Sequence, residues 1–381
     1  MSASIQTTHV GSLPRPEAVL AQLFSVEDGE HVDQGVFDRI IGDAVAEIVA
    51  RQIEVGIDLV SDGEMSKMSY ATYIKDRLTG FAGDTPLELP ADLEQFPSLL
   101  RGQIAAAESM KRFRRPRCVG EIQYKSLELL NDDVRRLKAA LSLHPAPGAF
   151  VNAASPGVIA LFQGNDFYAT EDDYLEALAE AMRLEYEAIV AAGLMLQIDS
   201  PDLGSGRHTI YKDRSEAEYV VLIERHVDVL NHALRNIDAA SIRMHVCWGN
   251  YEGPHTCDVE MSVILPVLMK AKPAGLLFET ANPRHQHDWR AFADRLADIP
   301  EDKILIPGVI DTTTNFVEHP QVVAQRLEQF VHMVGLDRVI AGTDCGFGTF
   351  ASDHKVNPDI AYAKLGAMVE GAALVSRRFN N

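Results

Sequence analysis

The chain has 381 residues, 46% of them hydrophobic, which is enough for one large α/β barrel or two average domains with sizeable cores. Lys plus Arg number 35 against 55 Asp plus Glu, a formal charge of −20 that argues against nucleic acid or any other polyanion as a partner. No stretch of 18 apolar residues offers a membrane span, no leader-like pattern opens the chain, and four scattered cysteines build no disulfide framework. A cytoplasmic protein with metal-binding or catalytic thiols is expected.

In chain order, Thr7 to Pro16 reads as a strand stopping in a Gly/Pro turn, where backbone donors and Ser12 can hold a carboxylate. Ile40, Ile41, Val45, Ile48, Val49 and Ile53 repeat near 3.6 residues and predict a helix from about Val36 to Val55. Ile57 to Val60 is then a buried strand that delivers Ser61-Asp62-Gly63-Glu64 at its C-terminal end. Residues 65–130 are the least regular: Tyr70 to Leu78 reads as helix, Asp84 to Phe96 is acidic and Pro-rich, and a basic cluster from Lys111 to Arg117 precedes a strand signal at Arg117 to Tyr124. That cluster suits either an anionic substrate tail or surface ion pairs. We expect this stretch to be an excursion over one mouth of a barrel.

Regular alternation follows. Strand signals at Ala149 to Ala154, Leu194 to Ile198, Ser241 to Trp248, Gly275 to Glu279, Ile304 to Ile310 and Arg338 to Cys345 are separated by amphipathic segments. With a short helix near Asp132 to Leu143 ahead of them, these predict helices near Glu171 to Ala192, Glu216 to Asn236, Val259 to Lys270, Asp288 to Leu296 and Pro320 to Val334, with a last one from Pro358 to Ser376. Strands alternating with helices imply a parallel sheet with right-handed crossovers. Nine strand signals are one too many for a closed (β/α)8 TIM barrel, and Arg117 to Tyr124 is the natural one to set aside. A doubly wound open sheet would carry a Gly-rich phosphate loop after an early strand, and none is present. Ser12, Asp62, Glu64, Asp199, His245, Cys247, Glu279, Asp311 and Cys345 all stand at C-terminal strand ends, which converge in a barrel. The expected organisation is a single barrel domain over residues 1–381, with 65–130 inserted.

Three of those strand ends carry metal-type donors. If Ser241 to Trp248 is a strand, its period of two puts the imidazole of His245 and the thiol of Cys247 on one face. Such a pair alone is common in buried strands. Together with Glu279 and Cys345 it describes a tetrahedral zinc ligand set. His255 and Cys257, in a turn-rich stretch, are rival ligands, and Cys118 reads as a small buried side chain.

These motifs resemble the catalytic barrel of cobalamin-independent methionine synthase and its relatives, including epoxyalkane:coenzyme M transferase. They run from Thr7-Thr8-His9-Val10-Gly11-Ser12 through Gly63-Glu64, Gln197-Ile198-Asp199-Ser200-Pro201, His245-Val246-Cys247 and Phe278-Glu279-Thr280 to Pro307-Gly308-Val309-Ile310-Asp311 and Asp344-Cys345-Gly346. The resemblance implies zinc on His245, Cys247, Glu279 and Cys345, a substrate thiol joining it as thiolate, and Val10, Gly11, Ser12, Glu64 and Asp199 around the polar end of that thiol. Where methionine synthases carry a histidine that protonates the departing folate, this chain has Thr313. The tryptophan that stacks on the pterin has no counterpart in Asn152 to Pro156. Methyltetrahydrofolate is therefore not the expected donor.

Two cysteinates cancel the charge of zinc, so a third, substrate thiolate keeps its electron density and stays nucleophilic, with the hard carboxylate of Glu279 the ligand most easily displaced. The sequence thus predicts a zinc-dependent transfer of a methyl or epoxide-derived alkyl group onto a small-molecule thiol. His9 or a water held by Asp311 would handle the proton, and a homo-oligomer is left open. A zinc-binding protein without catalysis and a metal-free decarboxylase like the uroporphyrinogen enzymes are the alternatives.

Overall fold

Short apolar runs form parallel strands with helices on their outer side, because each strand can then bury both of its faces. The computed structural model describes residues 4–85, 88–99, 114–351 and 355–380. Its strands are β1 (Gln6–Thr7), β2 (Leu59–Ser61), β3 (Phe81–Ala82), β4 (Arg117–Cys118), β5 (Gly148–Ala154), β6 (Met195–Asp199), β7 (Ile242–His245), β8 (Gly275–Glu279), β9 (Ile304–Ile310) and β10 (Ile340–Thr343). Eight of them form one sheet in the order β1-β10-β9-β8-β7-β6-β5-β2, all parallel. A single parallel bridge between Thr8 and Leu59 joins β2 back to β1, giving the (β/α)8 TIM barrel.

The two faces of the strands differ in chemistry. Val151, Leu196, Ile198, Met244, Leu276, Phe278 and Leu305 point outward into the large core shared with the helices. Inside the ring the apolar cluster is only Val10, Leu277 and Ile306. Beside it stand Phe150 and a set of polar residues, with Asp199 beside His245 and Gln197 beside Arg243 in the strand register. Arg243 donates to Thr8 Oγ1 at 2.7 Å and to the His9 carbonyl at 2.9 Å, and its guanidinium lies 3.6 Å from the centre of the Phe150 ring. Burial pulls its pKa down to about 9, with Asp199 opposing. Gly275 makes room for it, since a Cβ there would stand 2.7 Å from the Arg243 Cβ.

The excursion leaves the barrel after β2. Strand β4 pairs antiparallel with β3 in a separate two-stranded sheet, so Arg117 to Tyr124 is no barrel stave. Tyr70 to Leu78 is helical only over Ile74–Arg77. Arg77 anchors this region, 2.6 Å from Asp133 and 2.9 Å from Glu185, while the Tyr73 hydroxyl donates to Glu185 at 2.7 Å and that of Tyr124 donates to it too. Of the basic cluster, Lys111 to Phe113 lie outside the described residues, and Arg117 is ion-paired with Asp166.

Among the described residues, two helices longer than a single turn escape the sequence patterns, Glu17–Glu27 and Pro156–Phe162, as does the short Ala91–Glu94. The second begins in Ser155-Pro156-Gly157, directly after β5 ends. Ser155 Oγ accepts from Val158 N at 3.0 Å and Pro156 fills the first helical position, so a cap and a start signal were both present. Among the described residues no helix is long and apolar enough to cross a membrane.

Candidate metal centre and substrate cavity

At the C-terminal mouth of the barrel lies a cavity of about 1010 Å³. Its floor includes Val10, Ser12, Glu64, Asp199, His245, Cys247 and Cys345, and its walls include Tyr70, Leu89, Leu93, Phe162, Tyr251 and Phe350. Tyr70, Leu89 and Leu93 come from the excursion, which thus overhangs the mouth.

His245 is the last residue of β7, and Cys247 lies beyond the strand, so strand periodicity does not bring the two together. The chain continues beside β8 through Val246 N to Leu277 O at 3.0 Å, and the Cys247 carbonyl accepts from Ser205 N at 3.1 Å. The donor atoms of His245, Cys247 and Cys345 all fall within 4.8 Å of one another, each residue buried. Glu279 stands just outside that group, its Oε1 3.9 Å from Cys345 Sγ. Trp248 N donates to Oε1 at 2.9 Å and Asn282 Nδ2 to Oε2 at 3.2 Å, which holds the carboxylate back.

This donor set fits zinc. A hydrogen bond between the thiols lowers the pKa of Cys247 and, together with burial, raises that of Cys345 well above the thiol range. Burial opposes a charge on His245, but Asp199 and Cys247 outweigh it and raise its pKa to about 9. The site thus collects positive charge, as protons or as a cation. Zinc would be held by His245, Cys247 and Cys345 with Glu279 in reach, and two soft thiolates with an imidazole are among its preferred ligands.

The polar side of the floor is rich in acceptors. Asn152 Nδ2 donates to Val10 O at 2.8 Å and to Asp199 Oδ2 at 2.9 Å, and Gln197 Nε2 donates to Asp199 Oδ1 at 3.0 Å and also to Val10 O. Gly11 packs so close to the Asn152 amide that a Cβ there would overlap it. Glu64 has a left-handed backbone, φ 56°, rare for a side chain of its kind, and its Oε2 has no hydrogen-bond partner. Burial raises its pKa to about 7, with Asp199 adding to the shift.

The two residues expected to handle protons lie elsewhere. His9 is fully buried beyond the end of β1, its Nε2 2.7 Å from Gln52 Oε1 and its ring edge-on to Phe150, and it does not line the cavity. The Asp311 carboxylate is taken up by its own turn, accepting from Thr313 N at 3.0 Å, Thr313 Oγ1 at 2.8 Å and the amide and hydroxyl of Thr314. Thr313 does reach the cavity wall. Cys257 accepts from Gln95 Nε2 at 3.2 Å and stays outside the thiol group. Cys118 is buried, as expected.

Sequence patterns alone singled out neither Asn152 nor Asp344. Asp344 accepts from the backbone of Thr280 and Ala281 at 2.9 Å and of Asn282 at 2.6 Å, and so fixes the turn after Glu279. Its place next to Cys345 was the available signal.

The catalytic-domain description of cobalamin-independent synthases matches residues 5–131 and 169–373. A methionine synthase from Saccharolobus solfataricus is 24% identical over 372 residues, 97% of this chain and 95% of that one. One from Sulfolobus acidocaldarius is 24% identical over 378 residues, 97% and 92% of the two chains. Among solved structures, a B12-independent methionine synthase from Shewanella sp. W3-18-1 in complex with selenomethionine superposes with a TM-score of 0.73 at 18% identity, over 99% of each chain. A putative B12-independent methionine synthase from Listeria monocytogenes gives 0.66 at 19% identity, over 98% of this chain and 99% of that one. These structures share the barrel, and the sequence match spans most of its length on both sides of residues 132–168. The chain belongs to the cobalamin-independent synthase catalytic-domain family.

Proposed function

We propose that this protein is a zinc-dependent transferase that moves a methyl or other small alkyl group onto the sulfur of a small-molecule thiol. The observation that carries this reading is the convergence of His245, Cys247 and Cys345 on the floor of a cavity whose walls are largely apolar. Bound zinc supplies one thing: it keeps the substrate thiol deprotonated near neutral pH. Glu279, held by Trp248 and Asn282, is the carboxylate that yields to an incoming sulfur. Asp199 and Glu64 set two carboxylates on the floor beside Val10, suited to an ammonium group, and Ser12 with the backbone at Gly11 suits a carboxylate. An amino-acid thiol such as homocysteine matches both. The apolar walls shield the sulfur from water and accommodate the alkyl donor.

Methyltetrahydrofolate suits this cavity poorly. Thr313 spends its hydroxyl on Asp311 and cannot protonate a folate leaving group, and losing general-acid help typically costs ~10²- to 10⁴-fold in rate. Methylcobalamin or a strained epoxide needs less help. The test pairs metal analysis with a substrate panel. Zinc-edge spectroscopy should show zinc bound through sulfur, lost in Cys247→Ser and Cys345→Ser and kept in Cys257→Ser. Homocysteine and 2-mercaptoethanesulfonate should be alkylated by methylcobalamin or simple epoxides far faster than by methyltetrahydrofolate. Sulfur-bound zinc persisting in both variants would remove the ligand assignment. Folate turnover at the rate of a full-length methionine synthase would remove the donor assignment.

A further inference from the structure

Beside the thiol site, three loops of the same mouth bring together His208, His255, His285 and Asp258. The side chains of all four are buried to within a few per cent of full enclosure. Asp258 is the hub: its Oδ2 lies 2.8 Å from His255 Nδ1 and 2.9 Å from His285 Nε2, and its Oδ1 lies 3.1 Å from His208 Nδ1. The donor atoms of His255, Asp258 and His285 fall within 4.8 Å of one another, and His208 stands just outside that group, meeting it through Asp258.

The outer ring nitrogens show what the inner ones present. His255 Nε2 is 3.1 Å from the Tyr251 carbonyl, and His285 Nδ1 is 2.8 Å from Asp288 Oδ2. Both partners only accept, so both outer nitrogens carry protons. A neutral ring then turns a lone pair toward the Asp258 carboxylate, which repels it. The repulsion is relieved if each ring takes a second proton or if a cation sits among the inward lone pairs.

His208 separates the two solutions. Its ring is buried, neither nitrogen makes a hydrogen bond, and the 3.1 Å approach to Asp258 Oδ1 lacks hydrogen-bond geometry. That oxygen also has no hydrogen-bond partner. A proton-held network would turn this ring to bond, whereas a metal ligand needs only to aim a lone pair at the ion. The carboxylate behind His285 and the carbonyl behind His255 are the supports that metal-bound imidazoles ordinarily have.

We propose that His208, His255, His285 and Asp258 form a second metal site, closed and structural, that takes zinc or a similar divalent ion through three nitrogens and one oxygen. Four protein ligands leave no open position, so this ion takes no part in chemistry. Access is at hand, since His208 and Asp258 also line a second cavity of about 340 Å³. The site would staple the loops after β6, β7 and β8. Trp248, which stacks on His285 at 4.2 Å and donates to Glu279, ties the staple to the thiol centre.

The test uses zinc alone as probe and is independent of the alkyl-transfer reading. The Cys247→Ser/Cys345→Ser double variant, loaded with zinc and desalted, should keep one zinc per chain whose edge spectrum shows only nitrogen and oxygen ligands. His208→Ala in that background should release it while far-ultraviolet dichroism stays unchanged. If the double variant does not fold, the wild type decides. It should hold two zinc ions with a mixed shell, and His208→Ala alone should hold one, bound through sulfur. A folded double variant without zinc, or a wild type with a single sulfur-bound zinc that His208→Ala leaves unaltered, overturns the proposal and makes the cluster a proton-held network.

Discussion

His9 has its proton placement fixed by its neighbour. Gln52 Nε2 donates to Ile48 O and Ser61 O, and Ser61 N donates to Gln52 Oε1, so the histidine's Nε2 must be the donor in its bond to that oxygen. Burial lowers the His9 pKa to about 4, below the unfolded value of 6.5. The unfolded chain therefore takes up this proton first, and the neutral ring's contribution, present above pH 6.5, is lost as pH falls through 4. The shift corresponds to at most about 3 kcal/mol. Urea unfolding at pH 7 and pH 4.5 should show wild type losing more stability on acidification than His9→Asn. Equal losses would mean the ring is not held neutral. The placement of His9 was not legible, because β1 ends at Thr7 and only the tertiary contact with Gln52 decides where its ring goes. Glu64 was legible as a strand-end carboxylate, but its left-handed backbone and raised pKa arise from a tertiary fit that no local pattern records.

Among the elements, the ends of β8, β9 and β10 act as one unit. Asp344 gathers the turn after Glu279, and Gly308 on β9 lies against it: a Cβ there would stand 2.6 Å from both Asp344 N and Cα and closer still to Oδ1. Backbone cannot yield as a side-chain tip can. Gly308→Ala should therefore cost roughly 1–3 kcal/mol in stability, the usual range for overpacking, and should lower sulfur-bound zinc by displacing Cys345. Unfolding curves and zinc-edge spectra of one sample check both, and unchanged zinc would show that Asp344 moves independently of its neighbour. The barrel strands were readable because two-sided burial leaves an apolar run that ends abruptly at a polar residue. The helix after Ser155 was not, because the same Ser-Pro pair that starts a helix also makes a turn, and only the packing of Val158 and Ile159 decides between them.

Across the whole molecule, the excursion is fastened by charge where the barrel is fastened by apolar surface. Arg77 sits between Asp133 and Glu185, all nearly sealed from solvent. Removing one partner of such a pair typically costs about 3–5 kcal/mol, because the other is left buried and unpaired. Arg77→Met should therefore destabilise by that order, and adding Glu185→Gln should restore part of it. A loss under about 1 kcal/mol, as for a surface pair, would mean the network is open to water. Nothing periodic in residues 65–130 announced this arrangement, since ion pairs across distant segments leave no local pattern. The seam of the barrel has a further consequence. Strand β1 pairs with β10, Gln6 opposite Ile340, so β1 must wait until β10 has been made. At ordinary translation rates that interval is roughly 17 to 67 s, during which the nascent chain carries an unpaired edge and half a floor for its cavity. Val10 and Ser12 meet Cys345 only once β10 is in place, so a chain cut short before β10 cannot complete its cavity floor.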